Sequence, residues 1–170
     1  MTDKANALEQ AHGLWRRAFA AMQQEYPDVQ GHALYVDVCA MELVRAPERF
    51  DVIVTSNLFG DILTDLGAMI QGGMGSAASG NIHPGRSSYF EPVHGSAPDI
   101  AGKGIASPVG AILSAALLLD HVGEVTAARG IEDCVQVLLA SRRVPSVDAT
   151  SGLSTSQVGD MVVEAIQGNS

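Results

Sequence analysis

Apolar residues recur at helical spacing near the N-terminus, where Leu8, Trp15, Phe19 and Met22 alternate with charged and polar residues. This pattern predicts an amphipathic helix that ends before Pro27. Further helices are predicted over residues 41–45, 59–70 with Asn57 or a neighbour as cap, 107–121, and around 131–138 and 158–166. The helix that begins at Ser107 and Pro108 is apolar over most of its surface, so we expect it to be buried.

Short apolar runs between these helices predict strands. Residues 33–36 and the β-branched run 51–55 each predict a buried strand, and the first of them stops at Asp37. Residues 72–85 are rich in glycine and predict a loop with one short strand, after which Tyr89 and Phe90 begin an extended segment. The order strand, helix, strand predicts an α/β fold with some parallel pairing.

The composition is that of a globular protein, with 46% hydrophobic residues and a formal net charge of −9 over 170 residues. Such an acidic chain lacks the basic face that nucleic acids or anionic membranes require. Cys39 and Cys134 have neither a pairing motif nor zinc-site spacing, which is typical of a reducing compartment. The chain has no signal-peptide pattern, and its longest apolar stretch, near residues 112–119, is too short to span a bilayer. We therefore expect a soluble cytoplasmic protein.

Asp61 and Asp65 are four residues apart on a predicted helix, so both carboxylates lie on one helix face. Two neighbouring carboxylates repel each other unless a cation lies between them, and oxygen ligands suit Mg²⁺ or Mn²⁺. The alternative is that acids near a helix N-terminus simply complement the helix dipole. That explanation accounts better for Asp61 than for Asp65, which lies a turn later.

Asp37 and Lys4 are candidates for acid–base or metal chemistry. Asp37 ends an apolar strand, where ligand-binding residues of open α/β sheets collect. Lys4 could act as an acid or base if it lies beside a metal or an apolar wall. Both residues can also be explained as solvated charges at the surface.

The loop of residues 94–99 (HGSAPD) has small residues that let a ligand approach the backbone. Several unpaired N–H groups in such a loop suit a phosphate. A following carboxylate, Asp99, can accept both ribose hydroxyls of an adenosine and would repel a 2′-phosphate. An ordinary loop with a structural histidine remains the alternative.

Taken in order, these features resemble one family, the isopropylmalate/isocitrate dehydrogenases, and within it the 3-isopropylmalate, tartrate and D-malate enzymes most. Residues 2–8 (TDKANAL) resemble its catalytic-lysine segment, and residues 35–37 (YVD), 50–54 (FDVIV) and 57–65 (NLFGDILTD) resemble its metal region. Residues 90–104 (FEPVHGSAPDIAGKG) resemble its adenosine-binding loop. The resemblance covers nearly all of the chain. It implies a three-layer α/β fold, truncated at the N-terminus, in one domain unit over residues 1–170.

The resemblance also implies roles for individual residues. Within the unit, residues 1–75 would form the lysine, metal and dimer-forming region, and residues 76–170 the adenosine-loop region and the C-terminal helices. Asp61 and Asp65 would hold Mg²⁺ or Mn²⁺ in one subunit of a homodimer, and Asp37 would complete the metal site from the other. Lys4, from the same neighbouring subunit as Asp37, would be catalytic and shuttle a proton, with Asp37 as its catalytic companion. The adenosine part of NAD would be bound by His94, Gly95, Ser96, Ala97, Asp99, Ile100 and Ser107.

The family reaction gives the expected function, an oxidative decarboxylation of a small 2-hydroxy carboxylate. Hydride passes to the nicotinamide of NAD, and the resulting β-keto acid loses CO₂ while the divalent ion stabilises the enolate. Asp99 followed by Ile100 resembles the NAD-selective members of the family.

Two departures from the family pattern bear on this expectation. The family usually has asparagine where this chain has Ser107, and serine offers adenine a different donor and acceptor pattern. The family's front half, which supplies the arginines that bind the substrate carboxylates, has no counterpart in these 170 residues.

Three hypotheses stay open at this stage. The chain is half of a dehydrogenase that needs its front half, and a separate polypeptide carrying that half is one conceivable partner. Alternatively, it is a free-standing truncated relative with a repurposed isomerase, lyase or cyclase reaction that uses no nicotinamide. The third hypothesis is a non-catalytic dimeric module that binds a partner through the dimer surface.

Overall fold

The computed structural model describes residues 1–146 and 151–168. The chain divides into two compact units, Met1–Gly67 and Ala68–Ser170, which are described separately below. The sequence placed the change of region near residue 75, a few residues later than this boundary.

The first unit begins with strand β1 (Thr2–Asp3) and contains strand β2 (Leu34–Tyr35). Helix α1 (Glu9–Glu25) joins the two strands, and helix α2 (Val36–Arg45) follows directly on the second. A 3₁₀ turn (Pro47–Arg49) leads towards helix α3, which begins at Asn57 and ends at Gln71, beyond the unit boundary. Strands β1 and β2 are parallel, with Thr2 opposite Leu34 and Asp3 opposite Tyr35, so the predicted parallel pairing is confirmed.

The core of the first unit lies between α2 and α3. Cys39 and Leu43, four residues apart on α2, are buried against Leu63 of α3. Partly buried apolar residues surround them, among them Leu34, Val36, Ala40, Phe50, Ile53 and Leu66. Burial of each leucine side chain contributes about 2 kcal/mol, so this small cluster is what holds the two helices together.

Two local predictions for this unit were wrong. The apolar run 33–36 forms a strand of only two residues, and α2 begins at Val36 rather than at residue 41. Asp37 therefore lies in the first turn of a helix and does not end a strand. Residues 51–55 form no strand: Val52 is 84% exposed, and the backbone bond that joins the run to β1 is Thr2 N–H to Val54 O at 2.9 Å. A β-branched sequence gives a strand only where a partner can complete the ladder.

The second unit combines a short hairpin with three helices. A 3₁₀ turn (Met74–Ser76) precedes strands β3 (Ala78–Asn81) and β4 (Tyr89–Pro92), which pair antiparallel. The prediction of one short strand in the glycine-rich loop is thereby confirmed. Helices α4 (Val109–His121), α5 (Val125–Ala140) and α6 (Thr155–Gly168) follow, each close to its predicted position.

Buried valines and a leucine from the three helices, together with Val144 from the segment after α5, form the core of the second unit. Its buried members are Val109, Val135, Leu138, Val144, Val158 and Val162. Helix α4 buries Val109, Gly110, Ser114 and Ala116, but Leu118 near its end is exposed, so the expected burial is found along one side of the helix only.

Two glycines allow the hairpin and α4 to approach closely. A β-carbon at Gly110 would lie 3.2 Å from the carbonyl oxygen of Gly75 and 3.3 Å from that of Ala77. A β-carbon at Gly80 would lie 2.9 Å from the ring of Phe90 on the opposite strand. A side chain at either point would therefore require the Phe90 ring or the neighbouring backbone to shift.

Across residues 1–146 and 151–168, no helix has both the length and the apolar character needed to cross a membrane.

Candidate functional site

Lys4 and Asp37 form an ion pair in the first unit. The Lys4 Nζ lies 2.6 Å from Asp37 Oδ1. The parallel pairing of Asp3 with Tyr35 explains this, since Lys4 and Asp37 follow just after the paired residues. The hydrogen bond from Lys4 is the main reason that the pKa of Asp37 lies below its ordinary range. Two residues that the sequence predicted as catalytic partners are therefore side by side within one chain.

Asp3, the residue before Lys4, forms a second ion pair with Arg16. The side chain of Asp3 is fully buried and accepts hydrogen bonds from Arg16 Nε at 2.6 Å, Arg16 Nη2 at 3.1 Å and the Ala5 amide at 2.8 Å. Burial by itself raises the pKa of Asp3, but these hydrogen bonds and the Arg16 charge outweigh it, and the pKa is lowered. The Arg16 guanidinium also lies over the Tyr35 ring, 4.7 Å from its centroid. Arg16 thus ties the end of β1 to the end of β2.

His12 contacts the backbone of the same segment, since its Nδ1 accepts a hydrogen bond of 2.9 Å from the Lys4 amide. Sequence reasoning missed Asp3, His12 and Arg16 as parts of the site. One signal was available: His12 and Arg16 are four residues apart on α1 and therefore share a helix face.

Asp61 and Asp65 lie on the exposed side of α3, one turn apart, as their spacing predicted. Within residues 1–146 and 151–168, neither carboxylate has a hydrogen-bond or ion-pair partner. Over the same residues, no three side chains of the kinds that bind metals converge on one point. Asp37 forms its ion pair with Lys4 instead. Two unpaired carboxylates suit a hard divalent cation. That a second subunit supplies Asp37 to them stays a prediction.

The second unit contains a cavity of about 680 Å³, a size typical of small-molecule sites. Six of the seven residues predicted for adenosine binding line it: His94, Gly95, Ser96, Ala97, Ile100 and Ser107. Asp99, the seventh, is exposed and is not part of the cavity wall. Ala101, Gly102 and Gly104, which belong to the predicted loop of residues 90–104, also line the cavity. Further wall residues that sequence reasoning missed are Met69, Gly72, Gly73, Met74, Gly75, Ile105, Ala106 and Thr155.

The cavity wall is made largely of backbone that turns sharply. Ala97 has a φ of 44°, which is uncommon for a residue with a side chain, and Gly102 has a φ of 76°. The Ala97 carbonyl accepts a hydrogen bond of 3.0 Å from the Ile100 amide, which closes the turn that contains Asp99. Strained backbone of this kind concentrates at ligand sites.

Ser107 and Thr155 fix the far side of the cavity. The Ser107 hydroxyl accepts a hydrogen bond of 3.3 Å from the Val109 amide. Helix α4 begins at Val109 with Pro108 at the N-cap position, so the prediction of Ser107 as N-cap and Pro108 as first helical residue was wrong by one residue. Thr155, at the start of α6, donates from its amide to Gly104 O at 2.8 Å and from its hydroxyl to Ala106 O at 2.6 Å. Helix α6 therefore holds the loop that precedes α4.

Comparison with known proteins places these features in context. The profile of the family described as isocitrate/isopropylmalate dehydrogenase matches residues 1–162. The 3-isopropylmalate dehydrogenase of Rhodococcus opacus (strain B4) is 51% identical over 165 residues, which are 96% of this chain and 47% of that protein. The corresponding enzyme of Leifsonia xyli subsp. xyli (strain CTCB07) is 52% identical over 164 residues, 95% of this chain and 46% of its own length.

Solved structures agree with the fold. The isocitrate dehydrogenase from Methylococcus capsulatus superposes with a TM-score of 0.91 at 43% identity, over 98% of this chain and 49% of that one. The TT0538 protein from Thermus thermophilus gives a TM-score of 0.89 at 38% identity, over 97% of this chain and 34% of that one. The predicted α/β fold of the dehydrogenase type is thus confirmed.

The chain spans about half the length of the curated relatives that it matches. Those relatives carry both halves in one polypeptide, so the comparison gives no support to a separately encoded partner for the other half. The match extends over nearly the whole sequence and includes the lysine segment, the acidic helix and the cavity loop. The chain belongs to the isocitrate/isopropylmalate dehydrogenase family.

Proposed function

We propose that this chain supplies the C-terminal half of an NAD- and Mg²⁺- or Mn²⁺-dependent enzyme that oxidatively decarboxylates a 2-hydroxy acid such as 3-isopropylmalate. The observation that carries this proposal is the cavity of the second unit, because six residues predicted for adenosine line it. The relatives that are 51% and 52% identical to this chain are 3-isopropylmalate dehydrogenases.

The NAD site would use the cavity wall and the turn beside it. The small residues Gly95, Ser96 and Ala97 let a planar adenine and its ribose approach the backbone closely. Asp99 lies in the turn closed by the Ile100 amide, where its carboxylate could accept the ribose hydroxyls at the cavity edge. The Ser107 hydroxyl is already bonded to Val109, so it offers adenine less than a free amide would.

The metal site would use Asp61 and Asp65 of one copy and Asp37 of another. A divalent ion held there would polarise the hydroxyl and carboxylate oxygens of the substrate and stabilise developing enolate charge. The chain's own part is to present two exposed carboxylates on α3 and to hold Lys4 close to Asp37. From that position the neutral Lys4 amine would take the proton of the substrate hydroxyl, and the ammonium so formed would later give a proton back.

The surface around these carboxylates supports a homodimer as part of the proposal. Leu58 is 67% exposed and Ile62 is 57% exposed, and helical spacing places both on the face of α3 that carries Asp61 and Asp65. On α2, Met41 is similarly exposed. A second copy that covered these side chains would remove apolar surface from water and bring its own Asp37 towards the acidic pair.

Full activity would need the remaining half, which the relatives carry in the same polypeptide. We would therefore join the first half of the Rhodococcus opacus enzyme ahead of Met1 and follow NADH formation from 3-isopropylmalate with Mn²⁺. We expect NADH to form, and Asp61→Asn to slow it by about a hundredfold or more because a metal ligand is lost. Asp28→Asn, which also removes an exposed carboxylate of the first unit, serves as the matched control and should change the rate little.

A folded chimera that forms no NADH from any 2-alkylmalate, malate or tartrate, beside an active intact relative, would contradict the proposal. Metal-dependent conversion of such an acid without NAD reduction would support the repurposed, non-redox enzyme instead. If the chain binds neither NAD nor Mn²⁺ but dimerises, the non-catalytic module would be the better description.

A further inference from the structure

We propose that His12 is a positioning residue that holds Lys4 towards Asp37 by accepting a hydrogen bond from the Lys4 amide. The catalytic meaning of this contact rests on the function proposed above, whereas the contact itself does not. His12 lies on α1, eight residues after Lys4, and belongs to none of the motifs that carried the family resemblance.

The imidazole of His12 is fixed at two points. Its Nδ1 lies 2.9 Å from the Lys4 amide nitrogen, and its ring packs against Phe59 of α3 with centroids 5.4 Å apart and planes at 55°. The ring is half-buried between these contacts. It therefore has little freedom to turn away from the Lys4 backbone.

The contact fixes the chemical form of His12. A backbone N–H can only donate, so the Nδ1 atom must be without a proton. The neutral ring then carries its hydrogen on Nε2. This tautomer is a direct consequence of the hydrogen bond and can be observed by spectroscopy.

The backbone N–H and C=O groups of Lys4 are both hydrogen-bonded. Its carbonyl accepts hydrogen bonds from the Leu8 amide at 2.8 Å and the Ala7 amide at 3.0 Å, while its amide donates to His12. With both backbone groups fixed, the side chain leaves the backbone in one direction, and its ammonium reaches Asp37 at 2.6 Å. Without the His12 acceptor one of these constraints is lost, so the Lys4 ammonium would be accessible to solvent more often.

Two substitutions separate the hydrogen bond from the ring packing. His12→Phe keeps an aromatic ring against Phe59 but removes the acceptor. His12→Asn removes the ring but places an oxygen where Nδ1 was. If the hydrogen bond positions Lys4, the asparagine variant behaves like the wild type and the phenylalanine variant does not.

The readout is the rate at which an amine-reactive reagent labels Lys4 in the full 170-residue chain, measured by peptide mass spectrometry. The chain has two lysines, and the exposed Lys103 in the second unit is an internal reference. We expect His12→Phe to raise the Lys4 to Lys103 labelling ratio about fivefold, the shift that loss of one hydrogen bond produces, and His12→Asn to leave it within about twofold.

An unchanged ratio in His12→Phe, or an equal rise in both variants, would overturn the proposal in favour of simple packing. Should the variants not fold, the wild type alone decides: nitrogen-15 spectra of the singly protonated His12 ring must show its proton on Nε2 and none on Nδ1. A singly protonated ring with its proton on Nδ1 would overturn it. Neither measurement needs NAD or metal, so a chimera without activity would count against the proposed function and leave this contact standing.

Discussion

The lysine region of the first unit and the cavity of the second unit are built in opposite ways. Around Lys4, side chains form the structure: Asp3, Arg16 and Asp37 take part in two ion pairs within a short distance of each other. Around the cavity, the shape comes from glycines, a positive φ at Ala97 and bonds between backbone atoms. The first region should be sensitive to charge and the second to added volume.

This difference also explains why each region suits its proposed task. Acid–base and metal chemistry needs ionised groups at fixed separations, which paired charges provide. A nucleoside needs a surface that its rings and phosphates can approach, which small residues and exposed backbone provide. The predictions below test this contrast, in order of decreasing effect.

The largest effect is expected from the core behind the cavity. Leu138→Ala should lower the free energy of unfolding of the second unit by about 3 kcal/mol, because a fully buried side chain in the valine-rich cluster is lost. Chemical denaturation followed by circular dichroism would measure it. Val137→Ala, at the exposed neighbouring position on α5, is the control and should cost much less. Equal losses in both variants would contradict the described core.

The second largest effect on stability is expected from the ion pair between Asp3 and Arg16. Arg16→Met should cost about 2 kcal/mol in the first unit, because Asp3 is 0% exposed and would be left as a buried charge without its partner. We expect less than for a fully buried pair, since the Arg16 side chain is 37% exposed and partly screened. Fluorescence of Trp15, the single tryptophan, reports on this unit, and Arg17→Met on the same helix is the control.

Adding a side chain at Gly110, where α4 approaches the segment before the hairpin, should have a smaller effect on stability. Gly110→Ala places a carbon 3.2 Å from Gly75 O in the cavity wall, whereas Gly130→Ala on α5 meets nothing within 4 Å. In both variants alanine favours the helix over glycine by about 1 kcal/mol. Only Gly130→Ala should raise the free energy of unfolding by that amount, because in Gly110→Ala the close approach to Gly75 O opposes the gain. Comparing the two melting curves isolates the cost of the close approach. A matching gain at Gly110 would show that the packing is looser than described.

The smallest effect is a pH dependence of the first unit. The folded pKa of Asp3 is below its ordinary value of 3.8, so its contribution to stability is complete above that pH and is lost as the pH falls through the folded value. The stability difference between wild type and Asp3→Asn should therefore shrink in strong acid. Trp15 fluorescence during denaturation at several pH values measures it, and a difference that does not change with pH would contradict the assigned ion pair.

The helices were predictable from the sequence because their apolar spacing is a local property. The start of α2 was not, since Val36 and Val38 around Asp37 favour a strand by propensity, while their neighbours in the fold decide for a helix. The run that contains Val52 failed for the same reason: a strand depends on a distant partner.

The site could be predicted where one motif carries it and not where elements meet. The loop from His94 to Ile100 contributes five cavity residues from one short motif, so its sequence was enough. Thr155 and His12 reach their positions only through packing between distant segments. Helical spacing places His12 and Arg16 on one face, but nothing in the sequence says that this face meets Lys4.

The central claim is that this chain retains the acidic half of a divalent-metal site, and a Mn²⁺ titration followed by electron paramagnetic resonance tests it most directly. We expect the full chain to bind Mn²⁺, and Asp61→Asn and Asp65→Asn each to weaken binding by about tenfold or more, while Asp28→Asn does not. Binding that is absent, or equally strong in all three variants, would contradict the account.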